Sequence, residues 1–142
     1  MPGFLLDLNV LLALAWQGHT HHLRAREWFQ KTRMGAWHTC ALTQSGFLRL
    51  SCNPMVVRAV LSAARARQIL QSLTAHADHR YLDHLPSPLL PEFDGIWTRV
   101  QGHQQISDAY LVCVARHHQV KLATLDETLK NVCPWKDQVN VI

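Results

Sequence analysis

Apolar positions fall along this chain in two rhythms: short solid runs of strand length, and longer stretches that repeat at helical spacing. The run at residues 4–8 predicts a first strand that passes directly into a helix over residues 10–16. An amphipathic helix is expected over residues 21–33, with Leu23, Trp28 and Phe29 inward and Gly35 as its stop. Residues 36–42 read as a second strand. Thr43 then opens a helix carrying Phe47, Leu48 and Leu50, which ends before Asn53-Pro54. Residues 55–76 are expected to be mostly helical with a break near Ser62, and Tyr81-Leu82 marks a third strand ahead of the Pro86-Ser87-Pro88 loop. A short helix is expected over residues 92–100, and Ser107 is placed as the cap of another over residues 108–118. A strand at residues 121–125, a helical turn at 126–131 and a strand at 139–142 complete the pattern. Strands apolar on both faces, alternating with helices, predict an α/β fold: a three-layer α/β/α arrangement around a central parallel sheet. With no repeat or linker in the pattern, residues 1–142 are expected to form one domain.

In such folds ligands bind beyond the carboxyl ends of the strands. Asp7 ends the first strand, Asp126 follows the fourth, and Asp108 begins the helix that leads back into the fourth strand. All three acids are therefore expected at one edge of the sheet, where they repel one another unless a cation sits between them. Hard oxygen ligands in an open cleft suit Mg²⁺ or Mn²⁺, and an ion held there would support hydrolysis of a phosphodiester. Asp108 and Asp126 also have a purely structural reading, since an aspartate satisfies free amides at a helix start. Asp7 is harder to explain that way, because an acid closing an apolar strand is costly without a partner.

Composition adds a partner class. The chain carries a formal net charge of +4, with arginines at 24, 26, 33, 49, 58, 65 and 67, a balance that favours a polyanionic partner. The four cysteines are scattered, without the paired spacing of a zinc site, and are expected as buried thiols. His21 and His22 are adjacent and diverge on a helix, so the histidine cluster with His19 is expected at a solvated helix start. No apolar run approaches the ~20 residues that span a bilayer. The N-terminus lacks a signal-peptide pattern, so the cytoplasm is the expected compartment.

The segment Leu5-Leu6-Asp7-Leu8-Asn9-Val10-Leu11 resembles the opening of PIN domains. Thr43-Gln44-Ser45-Gly46-Phe47-Leu48-Arg49-Leu50, with the Asn53-Pro54 that follows, is similar to a segment of one branch of the VapC toxins. Ser107-Asp108-Ala109-Tyr110-Leu111 and Leu122-Ala123-Thr124-Leu125-Asp126 resemble the two C-terminal acidic motifs, so the likeness runs from residue 4 to about residue 130 in order. The resemblance implies a PIN fold, Mg²⁺- or Mn²⁺-dependent endoribonuclease activity, and the toxin role in a toxin–antitoxin pair. It also implies an RNA substrate, a homodimer, and a cognate antitoxin that covers the active-site groove. It puts Asp7, Asp108 and Asp126 on metal and catalytic positions, Asn9 and Thr124 on polar positions beside them, and leaves Arg49 as a candidate RNA contact.

Gln44 stands where many members carry a glutamate. A neutral amide there leaves the number of bound ions open, with Glu92 or Asp94 as further sources of charge, and Gln44→Glu is expected to tighten metal binding. Two other readings remain: a PIN-fold RNA-binding module without catalysis, and a PIN nuclease acting on DNA or in RNA processing. The apolar segments 47–50 and 56–61 are candidates for a dimer or antitoxin surface, with core packing as the alternative.

Overall fold

The chain forms five short parallel strands, β1 (Phe4–Leu6), β2 (Trp37–Cys40), β3 (His79–Leu82), β4 (Lys121–Thr124) and β5 (Val139–Val141), in a computed structural model that describes residues 3–32, 35–57 and 61–142. They lie in the order β3-β2-β1-β4-β5. The central strands β1 and β4 are buried on both faces because a two-residue period turns successive side chains to opposite covered layers, whereas the edge strand β3, His-Arg-Tyr-Leu, stays partly exposed. Leu5 and Leu122, paired across β1 and β4, face one hydrophobic layer, while their neighbours Leu6 and Ala123 face the other.

The helices divide between those layers. α1 (Leu8–Ala15), α2 (His22–Thr32), α3 (Ala41–Ser51) and α4 (Ala63–Thr74) carry the chain from β1 out to β3 and pack on the face of Leu6. α5 (Asp94–Trp97), α6 (Ile106–His117) and α7 (Leu129–Val132) serve the return to β4 and β5 on the face of Leu5. Right-handed crossovers running in opposite directions along a sheet must cover opposite faces. The strand order reverses at the β1–β4 pair, so a crevice opens beyond the carboxyl ends of those two strands.

Several boundaries differ from the sequence expectation for local reasons. β2 stops at Cys40 and α3 begins at Ala41, not at Thr43. The Thr43 hydroxyl accepts from the Cys40 N–H (3.0 Å) and donates to the Cys40 carbonyl (3.1 Å), turning the chain early. Ser62 is the cap of α4 and its hydroxyl accepts from the Arg65 N–H, so the expected break is a helix start. Residues 54–57 before it are turn and bend, with the Asn53 side chain accepting from the Met55 N–H. A 3₁₀ turn at His103–Gln105 runs straight into α6, which puts Ser107 inside the first turn and not at the cap. The helix expected over residues 92–100 is a 3₁₀ turn at Pro91–Phe93 followed by α5, and α7 begins only at Leu129. Phe47 is fully buried and belongs to the core, whereas Met55 is 90% exposed. Arg33, Arg58 and residues 59–60 lie outside the described residues.

Candidate active site at the carboxyl edge of the sheet

Asp7 follows β1 directly and caps α1, which fixes its carboxylate at the switch point between β1 and β4. It is only 3% exposed. One carboxylate oxygen accepts from the Leu8 N–H and the other from the Thr124 hydroxyl, both at 2.7 Å. Thr124, fully buried at the end of β4, is the hub of the site. Its oxygen also accepts from the Asp126 N–H (3.1 Å) and the Asn9 side-chain amide (3.3 Å), while Asn9 Oδ1 accepts from the Leu125 N–H (3.2 Å). The loop after β4 is thereby tied to the start of α1, and Asn9 and Thr124 stand beside Asp7 as the sequence motifs imply.

Burial raises the Asp7 pKa above the ordinary carboxylate value, with the Asp126 charge adding to the rise and the bonds from Thr124 and Leu8 opposing it. Asp108, in the first turn of α6, is pushed up to about 6 by burial and then by the charges of Asp7 and Asp126. The three acids thus sense one another at one edge of the sheet. Among the described residues the acid–base side-chain contact present is His117 Nδ1–Glu92 Oε1 at 3.5 Å, which involves none of them.

A cleft of about 510 Å³ opens over Asp7 between α3 and α6. Asp108 and Ser107 line it from α6, and Arg49, Ser45 and Gly46 from α3. Gly46 lets α3 approach closely, since a β-carbon there would stand 2.8 Å from the Leu8 side chain. The cleft also has an apolar part, formed by Leu42, Pro88, Trp97, Ile106 and Tyr110.

Asp126 and Gln44 are placed differently from Asp7 and Asp108. The Asp126 side chain accepts from the Thr128 N–H (2.9 Å) and hydroxyl (2.7 Å) and does not line the cleft. No cluster of three or more acidic, histidine or cysteine ligands is preformed among the described residues. The Gln44 amide donates to the buried Thr39 hydroxyl (3.0 Å), which contacts His79 Nε2 (2.7 Å), so this side chain turns towards β2 and β3. Glu92 pairs with His117 and also stands away from Asp7.

The donor set still fits a hard divalent cation. Two desolvated carboxylates face an open cleft, and among the described residues no basic side chain pairs with either; Mg²⁺ commonly keeps several waters beside one or two carboxylates. Trp97 and Tyr110 were not singled out from sequence. Their only signal is aromatic character close to the Pro-Ser-Pro loop and to Asp108, and an apolar residue in a helical stretch ordinarily signifies core.

The PIN domain family model matches residues 4–133. The chain belongs to the PIN-domain family. Ribonuclease VapC38 of Mycobacterium tuberculosis is 42% identical over 122 residues, covering 86% of this chain and 84% of that protein. Ribonuclease VapC29 of the same species is 37% identical over 128 residues, covering 90% and 89%. These relatives place this PIN domain among the VapC-type members. In structure it is similar to the crystal structure of FitAcB from Neisseria gonorrhoeae, with a TM-score of 0.58 at 17% identity over 91% of this chain and 92% of that one, a likeness of fold.

Proposed function

We propose that this PIN protein is a Mg²⁺- or Mn²⁺-dependent endoribonuclease acting as the toxin of a toxin–antitoxin pair. The observation that carries the reading is the pair Asp7 and Asp108, buried or half-buried and, among the described residues, in no salt bridge, in a cleft that Arg49 also lines. The names of the VapC ribonuclease relatives support RNA as substrate.

Asp7 and Asp108 would hold the ion, which when bound lowers the pKa of a water and polarises a phosphate. The Thr124 hydroxyl and the Leu8 N–H favour the ionised form of Asp7 against its burial and aim the carboxylate. Asn9 and Thr124 keep the Asp126 loop beside it, so that the Asp126 charge adds to the negative potential of the site. Arg49 is exposed on the cleft and supplies a cation for the substrate phosphate. A homodimer and an antitoxin that covers the cleft complete the reading.

The test is cleavage of single-stranded RNA with and without divalent ion. Wild-type protein is expected to cleave in Mg²⁺ or Mn²⁺ and to stop in excess EDTA, and Asp7→Asn is expected to lose cleavage while keeping its circular dichroism. Unchanged cleavage in EDTA overturns the metal-dependent reading. RNA binding without cleavage under any metal would leave a PIN-fold RNA-binding module. Co-expression with the product of an adjacent short gene tests the antitoxin, and light scattering tests the dimer.

A further inference from the structure

The cleft offers a ligand two different chemistries. Asp7, Asp108 and Arg49 suit a phosphate brought in with a cation, while Trp97 and Pro88 lie in a part of the same cleft that offers no charge. Trp97 is half-buried at the end of α5, and its indole N–H donates to the Pro88 carbonyl at 2.9 Å. The Tyr110 hydroxyl is likewise bonded to the Pro86 carbonyl. Both aromatic side chains therefore spend their polar hydrogens on the 86–88 loop, which pins their orientation, and both rings line the cleft. Phosphate and sugar gain nothing there. A flat apolar ring carried beside a phosphate gains stacking, and single-stranded nucleic acid brings that pairing of groups in every unit.

We propose that this part of the cleft is a nucleobase pocket, in which an unstacked base of single-stranded RNA, adjacent to the phosphate at Asp7 and Asp108, stacks on Trp97. This rests on the reading of the protein as a ribonuclease. Because the indole N–H and the Tyr110 O–H are already donated to the loop, neither can donate to the edge of the base. Stacking on an aromatic face is itself sequence-tolerant, so the pocket discriminates little between bases. It does require that the base leave its helix, which selects loops and single strands over duplex.

The experiment measures affinity for a single-stranded oligoribonucleotide in the non-cleaving Asp108→Asn protein, with Trp97 further changed to Phe or Leu. Both changes keep the site apolar, but only Phe keeps an aromatic face. Trp97→Phe is expected to bind within about threefold of its parent and Trp97→Leu about tenfold or more weaker, with the salt dependence unchanged because no phosphate contact is lost. An oligonucleotide with one abasic position, moved along the strand, is expected to lose a similar factor at a single position with the parent. With Trp97→Leu it is expected to lose nothing more there.

Equal affinity of the Phe and Leu variants, or an abasic loss that persists in Trp97→Leu, overturns the pocket. So does a Trp97→Leu protein that binds RNA normally but loses a protein partner, an outcome that assigns the surface to that partner. The two levels separate cleanly. If wild-type protein neither binds nor cleaves RNA, the ribonuclease reading falls and takes the pocket with it. Intact cleavage with an insensitive Trp97 removes the pocket alone.

Discussion

The two ends of the parallel sheet handle charge in opposite ways. At the amino ends of β4 and β5 a groove of about 690 Å³ is lined by Glu92, Arg116, His117, Lys121, Lys136 and Asp137. Acids and cations are mixed there: His117 meets Glu92 at 3.5 Å, and the Arg116 guanidinium lies 4.5 Å over the Trp135 ring. At the carboxyl ends Asp7 and Asp108 are desolvated and each raised by the charges of neighbouring acids. Charge of mixed sign left in water asks little of a ligand. Neighbouring carboxylates withdrawn from water are sustained by what binds, and this difference favours the carboxyl edge as the working end.

The largest effect should come from removing that imbalance. Asp108→Asn is expected to lower RNA cleavage on the order of a thousandfold, whereas Lys121→Gln at the amino end should leave it within about twofold, since interactions of exposed charges are weak. Single-turnover cleavage in saturating Mg²⁺ measures both. Comparable losses in the two variants would erase the distinction between the ends.

Next in size is the hydroxyl that holds the acids in place. Thr124→Val keeps the shape but removes the donor to Asp7 and the acceptor for the Asp126 N–H. Loss of such an orienting partner typically costs about 10- to 100-fold in activity, and the unpaired buried groups cost about 1–3 kcal/mol of stability. Without the bond that opposes its rise, Asp7 should also ionise at higher pH, moving the acidic limb of the rate profile upward. Thr124→Ser should restore both. A valine variant with normal activity and an unmoved profile would reduce Thr124 to packing.

Much of this edge is legible in the sequence because strand ends are. Asp7 and Asp126 follow apolar strands by position alone, and the alternation of strands with helices implies the switch point between them. What sequence does not convey is side-chain direction. Ala41 and Leu42 look like more strand, because short apolar runs fit either structure, and only the Thr43–Cys40 bonds decide where β2 ends. Asp126 occupies the expected loop, yet one of its carboxylate oxygens accepts both bonds from Thr128 and its side chain does not line the cleft. Trp97 is indistinguishable from a core residue until the fold sets it in the cleft.

A smaller effect concerns stability without metal. The folded pKa of Asp108, about 6, lies above the ordinary value of about 3.9 expected when unfolded. Folding therefore favours its protonated form. Its penalty is absent below the unfolded value, grows between the two pKa values and is complete above pH 6. His38 and His79, whose pKa values are lowered mainly by burial, act in the opposite sense as pH falls, so the useful quantity is the difference between variant and wild type. In EDTA, Asp108→Asn should match wild type near pH 4 and exceed it at pH 7 by about 1 kcal/mol after allowance for partial exposure, or roughly 3 °C in Tm. Adding Mg²⁺ should shrink the gap by stabilising the ionised wild type. A gap that is constant with pH would deny the repulsion.

The smallest effect is expected at Gln44, where sequence and geometry part. From sequence, a glutamate at this position would add a carboxylate to the metal site. In α3 the cleft is lined by Leu42, Thr43, Ser45, Gly46 and Arg49 but not by Gln44, whose amide instead donates to Thr39 Oγ1. In Gln44→Glu that donor becomes a carboxylate beside the Thr39 hydroxyl, which contacts His79 Nε2. The hydroxyl must then turn to donate to the new acid, and His79 must supply the proton on its own side. The added negative charge should raise the His79 pKa, which burial and the neighbouring His38 and Arg80 now hold down. The Mg²⁺ concentration for half-maximal cleavage should stay within about twofold, because the new charge lies away from the cleft. A Mg²⁺ titration of the cleavage rate and an NMR titration of His79 check the two halves together. A severalfold fall in the Mg²⁺ requirement with His79 unmoved would mean that this side chain reaches Asp7 after all.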